Sequence, residues 1–291
     1  VPTTPISLLG TTFQNPILLA AGTAGFGREL REIVDLDALG GIVTKSVSPE
    51  PRAGNPPPRV AEFSGGMLNS VGLANPGVEA VRTAELPWLA ASLQRARVIV
   101  SVVGASVDDY VTVIERLAGE PSVTAFELNL SCPNTARGGE HFGANEEVLR
   151  GLVERCARAT QKPVVAKLAP TLSDVGRSAR VAAQAGAAAI SVVNTMPGML
   201  YRQDGRQAPG AARLGSANGG VSGPFLLPVG VLATRRVVEA TGLPVIGVGG
   251  IRSLGDVRQY LAAGAALVAV GTAGLADPRL PERLAREWAR G

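Results

Sequence analysis

The run Glu127-Leu128-Asn129-Leu130-Ser131-Cys132-Pro133-Asn134 carries an alternating apolar strand into two amides and a thiol. A group that titrates near neutrality, flanked by amides that can hold a planar polar ligand, is what proton abstraction from a carbon acid requires. Three cysteine chemistries compete for Cys132. A metal site lacks partners, because the chain has one histidine and no clustered cysteines. A cysteine–histidine nucleophile would need His141, in the following glycine-rich loop, where no orienting third residue is evident. A general base fits best, since a free thiol titrates at about 8.5 and lysines nearby bring that toward neutral pH. Cys156, inside a helical pattern, reads as a small buried hydrophobe.

The cations are as selective as the thiols. Lys45, Lys162 and Lys167 are the only lysines, and arginine fills every other basic position. A compact ammonium is therefore retained after two apolar strands, where a guanidinium fork would behave differently. In Val164-Val165-Ala166-Lys167-Leu168 the ammonium needs either an inward carboxylate or a ligand that gains negative charge. Lys162 precedes Pro163 at a strand start, on the opposite rim, and has no expected role. Gly249-Gly250 before Ser253, and Gly271-Thr272 at a helix start, have the form of a phosphate cradle, although ordinary glycine turns look the same. Asn69, Asn129, Asn134 and Asn194 can each donate and accept, which suits a ring with alternating N–H and C=O groups. Residues 135–143, with three glycines, read as a lid or as a static surface loop.

These groups must be positioned by apolar runs at 17–21, 41–45, 97–103, 125–131, 164–168, 188–193, 245–248 and 267–270. Most are continuous and β-branched, as parallel strands covered on both sides require. Helical patterns at 107–118, 145–160, 173–185, 224–240 and 253–263 fall between them, with Ser173 and Ser253 as start signals. The alternation predicts an α/β fold, a (β/α)8 barrel over residues 1–291 as one domain, with a doubly wound sheet as the alternative. Residues 49–75 read as an excursion containing a short hairpin after the second strand, and 194–222 as a long polar loop after the sixth. Lys45, Asn129 to Asn134, Lys167, Asn194-Thr195, Gly249-Gly250 and Gly271-Thr272 all follow strand ends, so a barrel would gather them on one face.

Composition narrows the function classes. With 46% apolar and 18% charged residues the chain can bury a large core. No apolar run approaches the roughly 20 residues of a membrane span, and the N-terminal stretch has no secretory pattern. Two cysteines make no disulfide framework, so a cytoplasmic location is expected. The net charge of +4 comes from scattered arginines, and 4% aromatic content leaves few stacking platforms, so nucleic acid is not an expected partner.

Taken with Thr44-Lys45-Ser46, Met67-Leu68-Asn69-Ser70-Val71-Gly72-Leu73 and Val248-Gly249-Gly250, the Cys132 segment resembles the dihydroorotate dehydrogenases, and among them the class 1B catalytic subunits. The resemblance runs from about Pro5 to Ala276. It implies FMN held by Ala21, Lys45, Ser46, Ser101, Asn129, Lys167 and Val193, with the phosphate at Gly223, Gly249, Gly250, Gly271 and Thr272. It implies dihydroorotate or orotate held by Lys45, Asn69, Ser70, Val71, Gly72, Leu73, Asn129, Asn134, Asn194 and Thr195, with Cys132 and Lys45 as catalytic residues, Cys132 as the general base, and no metal. Ala21 stands where relatives commonly have serine, and Ser101 where many have asparagine, which alters individual flavin hydrogen bonds. Residues 50–60 and Leu73-Ala74-Asn75-Pro76-Gly77 resemble class 1B rather than 1A. That implies a homodimer and an electron-transfer subunit carrying FAD and an iron–sulfur cluster, with NAD as final acceptor; this chain lacks the cysteines for such a cluster. A flavin barrel acting on another dihydropyrimidine, and a non-redox barrel binding a phosphorylated ligand, remain as other readings.

Overall fold

The fold was obtained as a computed structural model that describes residues 5–131, 133–134, 140–143, 145–202 and 211–291. A hairpin of β1 (Ile6–Leu8) and β2 (Thr11–Phe13) precedes strands β3 (Ile17–Leu19) and β4 (Gly41–Val43). An excursion follows, with the hairpin β5 (Val60–Phe63) and β6 (Gly66–Asn69), then helix α1 (Val78–Ala80), which passes through a π-helical turn into α2 (Leu86–Ser92). Strand and helix then alternate: β7 (Arg97–Val102), α3 (Val107–Leu117), β8 (Val123–Asn129), a two-residue ribbon of β9 (Pro133–Asn134) and β10 (Glu140–His141), α4 (Glu146–Arg158), β11 (Val164–Leu168), α5 (Val175–Gln184) and β12 (Ala189–Val192). Strands β13 (Met196–Met199) and β14 (Asn218–Ser222) precede α6 (Leu226–Thr241), β15 (Val245–Val248), α7 (Leu254–Ala262), β16 (Leu267–Val270), α8 (Thr272–Ala276) and α9 (Leu280–Ala289).

Among the described residues, eight parallel strands close into a barrel in the order β3-β4-β7-β8-β11-β12-β15-β16. The expected (β/α)8 barrel is the observed fold. Period-2 alternation divides each strand between two cores. Leu18, Val43, Ile99, Ala125, Val165, Ala189, Ile246 and Leu267 fill the barrel, and Leu9 and Phe13 of the N-terminal segment join them. The opposite faces, for example Val100, Phe126, Ala166 and Ile190, pack outward against the helices. Both faces are buried, which explains why the strands read as continuous apolar runs.

Helix starts follow local chemistry. Ser106 and Ser253 each form a capping box, with Asp109 and Asp256 returning the bond, and Asn145 caps α4. The α5 cap is Asp174 rather than the expected Ser173: its carboxylate accepts from the Arg177 N–H at 2.9 Å. A carboxylate there also suits the positive end of the helix dipole.

The second departure is larger. Residues 194–222 are not simply a polar loop, because β13 and β14 pair with the excursion hairpin in a sheet ordered β13-β14-β6-β5. The glycines that suggested a loop let strands approach: a Cβ on Gly219 would lie 2.2 Å from the Asn69 carbonyl oxygen. Alternation was hidden because the strand carries Gly-Gly where side chains would have marked its faces.

Candidate active site

Register places the inward residues in tiers. Lys167 aligns with Asn129 on one side and Ser191 on the other, and Glu127 aligns with Val165 and Ser101. Glu127 and Asn129 are two apart on β8, so both face the barrel interior, with Asn129 nearer its C-terminal mouth.

Lys167 is buried, and its Nζ donates to Glu127 Oε1 at 3.2 Å; the carboxylate is only 1% exposed. The inward carboxylate considered for this lysine is therefore present. Sequence reading gave Glu127 no role, although an acidic residue of the same parity as Asn129 in an apolar strand was a usable signal. Lys45 follows β4 and differs: among the described residues no ion pair or hydrogen bond engages its ammonium. Its Nζ lies near the end of β3, 3.7 Å from where a Cβ on Gly22 would sit. Burial holds its pKa below the usual lysine value.

The amides meet across strands. Asn194 Nδ2 donates to Asn129 Oδ1 at 3.2 Å, and Asn194 Oδ1 accepts from the Thr195 N–H at 2.8 Å. The Asn129 carbonyl accepts from Tyr110 Oη at 2.7 Å, and the Tyr110 ring meets Phe142 edge-on with centroids 5.5 Å apart. Tyr110 thus braces the backbone end of β8, three residues before Cys132.

Asn69 arrives through the second sheet. It pairs in register with Gly220 and its Nδ2 donates to the Gly220 carbonyl at 3.2 Å. A Cβ on Gly220 would lie 2.1 Å from Thr195 Oγ1, so Asn69 and Thr195 belong to one locale beside the end of β12. The segment from Ser70 to Leu73 is shaped from behind. Asn55 donates from Nδ2 to Ser70 Oγ at 2.6 Å and from its backbone to the Val71 carbonyl at 3.1 Å. Leu73 takes φ 58°, a left-handed conformation that is unfavourable for a branched side chain and is held by its surroundings. Buried Asn75 supplies that hold, bonding Ser48, the Leu73 carbonyl and the Gly77 N–H. Sequence reading treated Asn75 only as part of a motif.

On the other arc of the mouth the groups are backbone. Gly249 and Gly250 have φ of 120° and 74°, and a Cβ on Gly250 would strike the Leu227 nitrogen at 2.5 Å. The buried Tyr260 hydroxyl donates to the carbonyls of Val248 and Gly249 at 2.9 and 2.7 Å, fixing that turn. Val193 follows β12 and donates its N–H to the Val248 carbonyl at 3.0 Å. Thr272 Oγ1 donates to Ser222 Oγ at 2.7 Å, beside Gly223. Ala21 follows β3, next to inward Ala20, and Ser46 and Ser101 exchange a hydroxyl hydrogen bond at 2.8 Å.

Thus Lys45, Asn129, Lys167, Asn194, Thr195, Gly249, Gly250, Gly271 and Thr272 lie at or beyond the C-terminal ends of barrel strands, on one rim. Asn134 lies in β9, paired through its backbone with Glu140. Cys132 and residues 135–139, hence most of the expected lid, lie outside the described residues. Lys162 occupies the opposite rim, where its Nζ donates to the Val123 carbonyl at 2.7 Å. A cavity of about 570 Å³ on that rim is lined by Leu9, Arg97 and Lys162 among others. Its two cations already serve main-chain carbonyls, Arg97 bonding that of Thr12, so it offers no comparable constellation. Cys156 is fully buried on α4, and burial pushes its thiol up to about 12, as suits an inert structural residue. No group of three metal-ligating side chains occurs among the described residues, and no helix there is long and apolar enough to cross a membrane.

A rim of inward ammoniums, paired amides and glycine turns defines a (β/α)8 barrel of the ligand-binding type, with its site at the C-terminal face. The chain belongs to the dihydroorotate dehydrogenase family, whose family model matches residues 4–290. A protein of Desulforudis audaxviator named dihydroorotate dehydrogenase B (NAD(+)), catalytic subunit, is 44% identical over 94% of this chain and 88% of its own length. A protein of the same name from Latilactobacillus sakei subsp. sakei is 41% identical over 97% and 93%, and one from Bacillus thuringiensis is 42% identical over 94% and 86%.

Proposed function

We propose that this chain oxidises (S)-dihydroorotate to orotate in pyrimidine synthesis, using FMN, as the catalytic subunit of an NAD-linked enzyme. The observation that carries the reading is the gathering, on one rim of a chain of this family, of a partly desolvated ammonium, two mutually bonded amides and a glycine cradle. Those residues fit the cofactor. Gly249 and Gly250, with φ of 120° and 74°, have the backbone freedom that a main-chain anion cradle needs, and Lys45 has no ion-pair or hydrogen-bond partner among the described residues. When bound, FMN supplies the two-electron acceptor for the hydride leaving C6.

The protein's own residues do the rest. Gly223, Gly249, Gly250, Gly271 and Thr272 hold the phosphate through backbone N–H groups and one hydroxyl. Ala21, Ser46, Ser101, Val193 and Lys167 would line the flavin, where the Lys167 ammonium would stabilise the negative charge that reduction brings. Asn69, Asn129, Asn134, Asn194 and Thr195 match the substrate's ring and carboxylate, and the backbone of Ser70 to Leu73 closes around it. Lys45 would serve both flavin and substrate. Cys132, following the end of β8, takes the C5 proton as the C6 hydride departs. A partner subunit carrying FAD and an iron–sulfur cluster would supply the route from this chain to NAD, and two catalytic subunits would pair as a homodimer in the cytoplasm.

The test is an anaerobic dihydroorotate titration of purified protein, with and without a co-purifying subunit. The yellow absorbance of bound flavin should bleach stoichiometrically, and NAD should be reduced only with the partner present. A colourless protein that releases no flavin on denaturation would remove the reading.

A further inference from the structure

Two lysines reach the same rim, and among the described residues only Lys167 has an ion-pair partner. Glu127 is the one carboxylate paired with Lys167 among the described residues, at 3.2 Å, with side chains 8% and 1% exposed. Nothing near the pair duplicates its role. Ser191, aligned with Lys167 on β12, has a buried hydroxyl with no hydrogen-bond partner among the described residues. Ser101, aligned with Glu127 on β7, already shares a hydrogen bond with Ser46. A buried ion pair is weak evidence for stability, because apolar side chains of similar volume usually serve a barrel core as well or better. Its retention one tier below the mouth is better explained by what it does to the ammonium that faces the ligand.

We propose that Glu127 is the positioning residue for Lys167: it fixes the direction of the ammonium and offsets its charge before that charge meets the ligand. The inference rests on the flavin reading above. It follows that Glu127 tunes the cofactor without touching it. Removing the carboxylate charge leaves Lys167 unbalanced, which favours the reduced cofactor over the oxidised one and moves the midpoint potential upward. Lys45 adds a second cation to the rim, and the Glu127–Lys167 pair limits how far the total field goes.

The experiment is Glu127→Gln, read by potentiometric titration of the holoenzyme and by FMN affinity after reconstitution of the apoprotein. The expected result is a selective gain of about tenfold for reduced over oxidised flavin, a rise of about 30 mV for a two-electron couple, with Glu127→Asp staying near the wild-type potential. If Glu127→Gln does not fold, the same charge is removed in the Lys167→Met background. There the lone buried carboxylate disfavours reduced flavin, so Lys167→Met/Glu127→Gln should have the higher potential of the two. A purely structural Glu127 would lower thermal stability and leave the potential unchanged in either comparison, which overturns the proposal. Wild-type protein that binds no FMN would instead remove the functional reading on which it rests.

Discussion

From β4 round to β12 the barrel mouth presents side chains: Lys45, Ser101, Asn129, Lys167 and Asn194. From β15 through β16 to β3 it presents backbone, with glycines or alanines at Gly249, Gly250, Gly271, Ala20 and Ala21. The first arc is held by bonds between side chains, Lys167 to Glu127 and Asn194 to Asn129. The second is held from behind, by Tyr260 on the carbonyls of Val248 and Gly249 and by the close approach of Leu227 to Gly250. A barrel that must grip a phosphate and also move a proton can divide the work this way. Backbone N–H groups hold an anion at fixed geometry, whereas proton transfer and ring recognition need groups that titrate or both donate and accept.

If this division is right, variants in the first arc should slow or loosen the substrate step and keep flavin, and variants in the second should lose flavin. Cys132→Ala, three residues beyond β8 in the sequence, should give the largest effect: flavin reduction by dihydroorotate slowed roughly 10²-fold or more with flavin content unchanged, measured by anaerobic stopped flow. Gly250→Ala comes next, since its added methyl meets main chain and its φ is left-handed. We expect a loss of roughly 1–3 kcal/mol in stability and FMN weakened by about tenfold, equivalent to about 1.4 kcal/mol. A Gly250→Ala protein that kept its flavin and lost only turnover would break the comparison. Asn194→Ala should raise KM by about fivefold, the worth of one hydrogen bond of about 1 kcal/mol, with flavin retained. Tyr260→Phe should cost about 0.5–1.5 kcal/mol in thermal unfolding, and any change in affinity should appear for FMN rather than for substrate.

The smallest effect is a slope. Burial lowers the folded-state pKa of Lys45, so between that value and the ordinary 10.5 the unfolded chain binds more protons than the folded one. Apoprotein stability should therefore rise with pH through this window, and Lys45→Met should lack that contribution. Cys156, raised from 9.0 to about 12, pulls the opposite way above pH 9 but is common to both proteins, so the difference between them isolates Lys45. Identical slopes for the two proteins would show that Lys45 is solvated like any surface lysine.

The two arcs were not equally legible. Side-chain chemistry is written in residue type, so Lys45, Lys167, Asn129 and Asn194 stood out against apolar strands, and parallel topology alone gathers strand ends on one rim. Gly249-Gly250 was legible as a turn, but its left-handed backbone and the hydroxyl brace from Tyr260, eleven residues later, depend on packing of α7 against the barrel. The stretch 194–222 was read as a loop because polar residues and glycines mask a strand whose partner, β6, lies about 150 residues earlier in the chain.

The sequence by itself determined which chemical groups exist and their order on a closing sheet, because apolar period and strand-end position are local properties. Tertiary structure alone decided which of those groups touch. That Lys167 is balanced by Glu127 while Lys45 has no ion-pair partner among the described residues, and that Asn69 reaches the rim through a second sheet, follow from cross-strand register. Register sets distances between residues far apart in the chain, and the energy of a buried charge depends on those distances.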